Sequence, residues 1–163
     1  MIPLSFAQRR LWFLDRMEGP SATYNLPVAI QLTGELDRSA LRQALADVIG
    51  RHEALRTIFP DTDGEPTQIV LDAAAAVELP VREIGSDELA DSLRESGLRP
   101  FDLATDLPMR AELFALGVDA AGAPEHVLLL TLHHIVGDGG SMGPLTRDLA
   151  TAYAARCVGR APE

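Results

Sequence analysis

The chain has little cysteine and a shortage of cationic residues, and each shortage excludes a class of protein. Cys157 is the one cysteine among 163 residues, so the chain can form no disulfide within itself and suits a reducing cytoplasm. Lys and Arg number 14 against 24 Asp and Glu, which gives a net charge of −10. Nucleic-acid binding needs a basic face. We therefore predict a cytoplasmic protein with no nucleic-acid partner.

Long apolar runs and a targeting segment are also lacking. No apolar run approaches the roughly 20 residues that a membrane-spanning helix needs. The first ten residues, MIPLSFAQRR, do not have the charged-then-apolar order of a signal peptide. The chain is nevertheless 47% apolar, which is ample for a core, and its length is that of one domain. We expect a single unit over residues 1–163 that has no membrane partner.

Local signals predict helices and strands in alternation. Ser5 and Gln8 have capping-box spacing, which predicts a helix to about Met17. Asp37 can cap a second helix, and alternation over Val28–Leu32 predicts a strand between the two. A third helix is predicted after Ser86 up to Gly97, and a fourth with one apolar face at Leu145, Leu149, Ala152 and Tyr153.

Further strands are predicted where short apolar stretches are bounded by turn residues. They cover Leu55–Phe59, Thr67–Leu71, Glu78–Ile84, Met109–Leu116 and His126–His133, and Ala73–Ala76 is expected to be a short connection. Helices and strands interleave without strict βαβ regularity. The predicted fold class is therefore α+β, an α/β two-layer sandwich in which helices cover a mostly antiparallel sheet.

The stretch from His133 to Gly139, HHIVGDG, carries the strongest chemical signal. It follows the apolar run of residues 127–132, which predicts a buried strand, and its glycines force a turn. Adjacent strand residues point to opposite faces, so one imidazole should face the core or support the backbone and the other should look across the sheet. A histidine held at a rigid strand end can take or give a proton near neutral pH.

A metal site is the alternative for the same residues. His134 and Asp138 would share a face only on a helix, and the glycines oppose a helix there. A third ligand would have to come from distant His52 or His126, although catalytic zinc usually has three protein ligands. We therefore expect no metal and no cofactor bound by this chain.

Three segments together resemble the condensation domains of nonribosomal peptide synthetases. Residues 5–14, SFAQRRLWFL, resemble the opening motif of that family, and residues 51–59, RHEALRTIF, resemble its second motif. Residues 133–139, HHIVGDG, resemble its active-site signature. Family members have two lobes, each similar to chloramphenicol acetyltransferase, with a catalytic tunnel between them. The resemblance implies that residues 1–163 are the N-terminal lobe and that the C-terminal lobe is absent.

The same resemblance implies roles for individual residues. His134 would act as a general base or orient the acceptor amine, and His133 would be structural. The amide of Gly139 could donate to the developing oxyanion. Asp138 would pair with an arginine of the second motif, most simply Arg56, whereas Arg51 and Arg56 read without the motif would be a solvated helix end.

The implied reaction is amide formation from two thioesters. The donor and the acceptor would each be carried on the 4'-phosphopantetheine arm of a carrier protein, so the partners would be two carrier proteins, the C-terminal lobe and adjacent synthetase domains. Two alternatives stay open. One is an acyltransferase that uses coenzyme A, and the other is a non-catalytic scaffold or binding fragment.

Overall fold

A computed structural model describes residues 2–73 and 77–163; Ala74–Ala76 of the predicted connection lie outside the described residues. The helices are α1 (Phe6–Glu18), α2 (Arg38–Arg51), α3 (Leu89–Gly97) and α4 (Met142–Cys157). The strands are β1 (Ile2–Pro3), β2 (Asn25–Thr33), β3 (Thr57–Ile58), β4 (Asp61–Thr62), β5 (Glu65–Val70), β6 (Val81–Glu83), β7 (Met109–Val118) and β8 (Pro124–His133).

The main sheet has the strand order β2-β8-β7-β6, with β8 inside. β8 pairs antiparallel with β2 from Asn25 opposite His133 to Thr33 opposite Glu125. It also pairs antiparallel with β7, and only β6 runs parallel to its neighbour. The prediction of a mostly antiparallel sheet is confirmed. Since β8 is hydrogen-bonded on both edges, its end is a rigid platform for the histidines that follow.

The two faces of the main sheet carry different helices. On one face, Leu128, Leu130 and Leu132 of β8 pack in a cluster with apolar residues of α2 and α4. On the other face, Val127 and Leu129 pack with apolar side chains of α3. The unbroken apolar run of β8 is therefore explained by burial on both faces.

A small sheet lies beside the main one. β5 pairs antiparallel with β1, β3 and β4. A third apolar cluster, Trp12, Phe59, Phe101, Leu103 and Ile135, joins α1 to the segment that follows β8. This cluster brings the first motif against the signature.

Most predicted elements are confirmed, with corrections at three of them. The capping box of Ser5 and Gln8 is present, and Asp37 caps α2. Ser86 is not the cap of α3: that helix begins after Glu88, which makes no side-chain cap bond. Residues 53–56 form a 3₁₀ turn, so the predicted strand at Leu55–Phe59 shrinks to β3. The predicted strand at Glu78–Ile84 shrinks to β6. Within the described residues, no helix is both long and apolar enough to cross a membrane.

Candidate active site

The signature begins where β8 ends, and neighbouring backbone holds it on both sides. The amide of His133 donates to the carbonyl of Pro108 at 2.9 Å, and the amide of His134 donates to the carbonyl of Tyr24 at 2.9 Å. A turn follows, in which the amide of Val136 donates to the carbonyl of His133. The backbone of both histidines is therefore fixed by segments that come from distant parts of the sequence.

His133 is a core residue, as the resemblance implies. It is 1% exposed, and its ring packs edge-on against Phe101 at 6.0 Å between centroids. Its Nδ1 accepts the amide hydrogen of Ile135 at 3.0 Å, so the neutral ring carries its proton on Nε2. Burial lowers the pKa of His133 to about 4, with the neighbouring His134 contributing. His133 is therefore neutral near pH 7 and fixes the turn.

Asp15 of α1 lies near His133. The Oδ1 atom of Asp15 is 4.0 Å from Nε2 of His133. This Nε2 atom has no hydrogen-bond partner within residues 2–73 and 77–163. Burial and the charge of Asp102 raise the pKa of the Asp15 carboxyl. Because His133 is neutral near pH 7, this contact is an approach of an N–H to a carboxyl rather than an ion pair.

His134 is the histidine that solvent can reach. It comes directly after β8 and is half-buried, unlike its neighbour. This difference in burial agrees with the prediction that the two adjacent imidazoles point in different directions. A half-buried imidazole whose backbone is anchored can meet a substrate without a large rearrangement of the chain.

Asp138 does not pair with Arg56, and this part of the sequence interpretation is wrong. Its carboxylate is exposed and accepts from the amide and the hydroxyl of Ser141, both at 3.0 Å. In return, the amide of Asp138 donates to Ser141 Oγ at 3.2 Å. These bonds lower the pKa of the Asp138 carboxyl. Asp138 thus caps the 3₁₀ turn Gly139–Ser141, which leads straight into α4.

Arg56 is occupied elsewhere. Its side chain is 15% exposed and lies 3.5 Å from the carboxylate of Glu53. Its guanidinium donates to the carbonyl of Leu71 at 2.6 Å and to that of Gly50 at 3.4 Å. Arg56 therefore ties the second motif to the end of β5, and the two groups expected to pair each have nearer partners.

Arg51 and Gly139 remain predictions as site residues. Arg51 ends α2, is exposed, and donates to the carbonyl of Glu163 at 3.1 Å, which fits a solvated helix end. Gly139 opens the 3₁₀ turn in an exposed position, and the space where a Cβ would stand is open. A substrate could therefore approach the backbone there closely.

Sequence reasoning missed the support given by Arg110. This side chain donates to the carbonyls of Arg99 and Pro100 at 2.9 and 2.7 Å and to the carboxylate of Asp106 at 3.1 Å. Its guanidinium carbon lies 3.9 Å from the ring centroid of Phe101, the ring against which His133 packs. No local signal marks Arg110, because its partners lie in a loop whose path the sequence pattern does not predict.

The described residues, 2–73 and 77–163, contain no group of three His, Cys, Asp or Glu side chains placed to hold a metal ion.

Replacing Asp138 and replacing Arg56 should lower the melting temperature by different amounts. We expect Arg56→Ala to lower the melting temperature more than Asp138→Ala, because it leaves the partly buried carbonyls of Leu71 and Gly50 without this donor, and an unsatisfied polar group away from water is costly. Asp138→Ala removes an exposed cap whose partners can turn to water. Thermal melts followed by circular dichroism, with Arg51→Ala as the exposed-arginine control, would check this. A larger loss for Asp138→Ala would contradict the geometry.

Comparison with known proteins agrees with the three motifs. The family model described as Condensation domain matches residues 1–163. The chain is 60% identical to the dimodular nonribosomal peptide synthase of Bacillus subtilis (strain 168) over 163 residues, which cover 99% of this chain and 7% of that protein. It is 50% identical to the isonitrile lipopeptide synthase of Mycobacterium tuberculosis over 172 residues, covering 99% of this chain and 6% of that protein. The chain thus spans a small part of the relatives it matches.

Solved structures show the same fold. The X-domain from teicoplanin biosynthesis superposes with a TM-score of 0.89 at 45% identity and covers 99% of this chain and 34% of its own. The first condensation domain of the CDA synthetase superposes with a TM-score of 0.83 at 25% identity, over 99% of this chain and 42% of its own. Because the family model matches its whole length, this chain belongs to the condensation domain family of nonribosomal peptide synthetases.

Proposed function

We propose that residues 1–163 are the N-terminal lobe of a condensation domain that joins two carrier-bound substrates by an amide bond. The observation that carries the proposal is the position of His134. It is half-buried and directly follows the central strand β8, inside the family's signature. Support also comes from the length of the chain, which covers 34% of the X-domain structure and 42% of the condensation-domain structure above.

In this proposal His134 acts on the acceptor amine. An α-amino group has a reference pKa of about 7.7–8.0, so much of it is protonated at neutral pH and cannot attack a thioester. His134 takes the proton or orients the neutral amine as the C–N bond forms and the C–S bond breaks. The thiol of the donor arm leaves, and the acceptor arm carries the lengthened chain. The amide of Gly139 is the proposed donor to the oxyanion.

The remaining residues of the signature hold this arrangement. His133 fixes the turn through its bond to Ile135, and Asp138 caps the 3₁₀ turn through Ser141. Neither one requires contact with the substrate. The substrates arrive on the phosphopantetheine arms of a donor and an acceptor carrier protein, and the C-terminal lobe supplies the opposite wall of the tunnel.

Alone, this chain lacks the lobe that completes the tunnel. With one wall of the tunnel missing, the two arms have no closed channel in which to meet, and the gain from holding both reactants in place is lost. The chain by itself is then a folded scaffold without efficient condensation activity. Under this proposal the isolated lobe is a scaffold, and the condensation activity requires both lobes.

Amide formation with two loaded carrier proteins tests the proposal. Three samples are compared: residues 1–163, the complete condensation domain, and the complete domain supplied with an acyl-coenzyme A in place of the donor carrier. We expect amide product from the second sample alone, read by mass spectrometry of the acceptor arm. Efficient product from residues 1–163 would overturn the division between lobes. Product from the coenzyme A thioester alone would favour the acyltransferase alternative.

A further inference from the structure

Within the second motif, it is His52 and not Arg56 that bonds to the helix following the signature. His52 is the residue at the C-terminal end of α2, and its Nε2 lies 2.7 Å from Oδ2 of Asp148 in α4. A distance this short is a charge-assisted hydrogen bond in which the imidazole N–H donates to the carboxylate. The bond joins residues 96 apart in sequence.

The helix that His52 holds is the continuation of the signature loop. The 3₁₀ turn Gly139–Ser141 passes directly into α4 at Met142. Asp148 lies within the second turn of that helix, since an α-helix has 3.6 residues per turn. A bond that fixes α4 at this point therefore also fixes the direction from which the loop arrives.

One cavity brings the two motifs together. It has a volume of about 480 Å³, and three of its lining residues, His52, Ala54 and Leu55, belong to the second motif. The same cavity is lined by residues of the signature, of the 3₁₀ turn and of the start of α4: Val136, Asp138, Gly140, Ser141, Pro144 and Leu145. The side chain of His52 is 39% exposed. His52 is thus anchored on Asp148 while it borders the space beside the signature loop.

We propose that His52 is a positioning residue, which acts through its bond to Asp148 to hold α4 and the loop of residues 137–141 in the geometry that His134 needs. Its effect on the reaction rests on the proposed function, whereas its effect on the loop does not. The imidazole bears an N–H on Nε2 both when protonated and as one of its neutral tautomers. The contact therefore requires a side-chain donor at this position more than it requires a positive charge.

A second pair between the same helices provides a matched control. Arg156 of α4 donates from Nε and Nη2 to the two carboxylate oxygens of Asp47 in α2, at 2.7 and 2.6 Å. This pair lies at the other end of α4 and does not line the cavity that His52 borders. Loss of the Asp47 pair should loosen the two helices without changing the loop.

Hydrogen exchange and kinetics together test the proposal in the complete condensation domain. We expect His52→Ala and Asp148→Ala to speed amide exchange across residues 137–142 by about tenfold and to lower kcat by about tenfold. The KM for the loaded carriers should change little, because the loss lies in orientation. His52→Gln keeps a side-chain N–H donor and should recover most of both losses. The double variant should be no worse than either single one, since both remove the same bond.

The control decides between a local and a general effect. Asp47→Ala should lower the melting temperature while exchange at residues 137–142 and kcat stay within about twofold of wild type. Equal loop exchange in Asp47→Ala and His52→Ala would overturn the proposal, as would unchanged loop exchange in both His52→Ala and Asp148→Ala. If the wild-type domain forms no amide, the proposed function fails, and the exchange data still decide whether His52 holds the loop.

Discussion

Replacing His134 with alanine is expected to lower amide formation in the complete condensation domain by about 10²–10⁴-fold, the range that a positioned general base contributes. The side chain is half-buried after β8, and its backbone is held by Tyr24. Removal of the imidazole therefore takes away the proton acceptor or the group that orients the amine, but no core packing. The melting temperature should stay close to that of the unchanged protein.

Single-turnover kinetics with both carrier proteins loaded would measure this loss. His126→Gln is a suitable control, because His126 lies near the opposite end of the same strand and has no role in the proposed reaction. Near-normal turnover in His134→Ala would rule out both roles for this residue. Rescue of His134→Ala by external imidazole separates the two roles: if His134 acts as a base, imidazole should restore part of the rate. If it only orients the amine, external imidazole should restore little.

The stability of the protein is expected to fall as the pH drops from about 6.5 to about 4, with His133 as a main cause. Burial lowers the pKa of His133 to about 4 in the folded chain, whereas an unfolded chain has the ordinary value of about 6.5. The unfolded state therefore binds the proton first, and acid favours unfolding. The contribution of His133 is complete above pH 6.5 and falls by about 3 kcal/mol once the pH reaches 4.

Urea unfolding at several pH values would measure this slope, with His133→Asn as the comparison. Asparagine does not titrate, yet its side-chain oxygen can accept the amide hydrogen of Ile135. In His133→Asn, the free energy of unfolding should fall less between pH 6.5 and pH 4, and the difference from the unchanged protein should be most of the about 3 kcal/mol assigned to His133. Two other groups contribute: His126, whose pKa burial also lowers, acts in the same direction, and Asp15, whose pKa burial raises, acts against it. An identical slope in His133→Asn would show that His133 does not carry the effect.

Arg56 and Asp138 show that the family resemblance predicted which segments lie together but not which side chains pair. The motifs correctly placed the second segment beside the signature, since His52, Ala54 and Leu55 line a cavity with Asp138. The pairing of Asp138 with Arg56 that they implied is wrong. Arg56 bonds to Leu71 and Asp138 to Ser141, because a guanidinium or carboxylate pairs with the nearest group that packing brings to it.

The sequence alone determined those features that local chemistry controls. Ser5 and Gln8 close a capping box within three residues, Asp37 caps α2, and the apolar run before His133 is the central strand. Each depends on hydrogen bonds or burial patterns that act within a few positions along the chain. The family followed as well, because three motifs in order are rarely matched by chance.

Only the tertiary structure decided the contacts between distant residues. His52 meets Asp148 across 96 positions, and Asp15 lies 4.0 Å from His133 across more than a hundred. Neither residue of these pairs has a local pattern that points to the other. Which side chains meet is set by how α2 packs on α4 and how α1 packs against the segment that follows β8. That packing depends on the shape of the whole core, which no short stretch of sequence encodes.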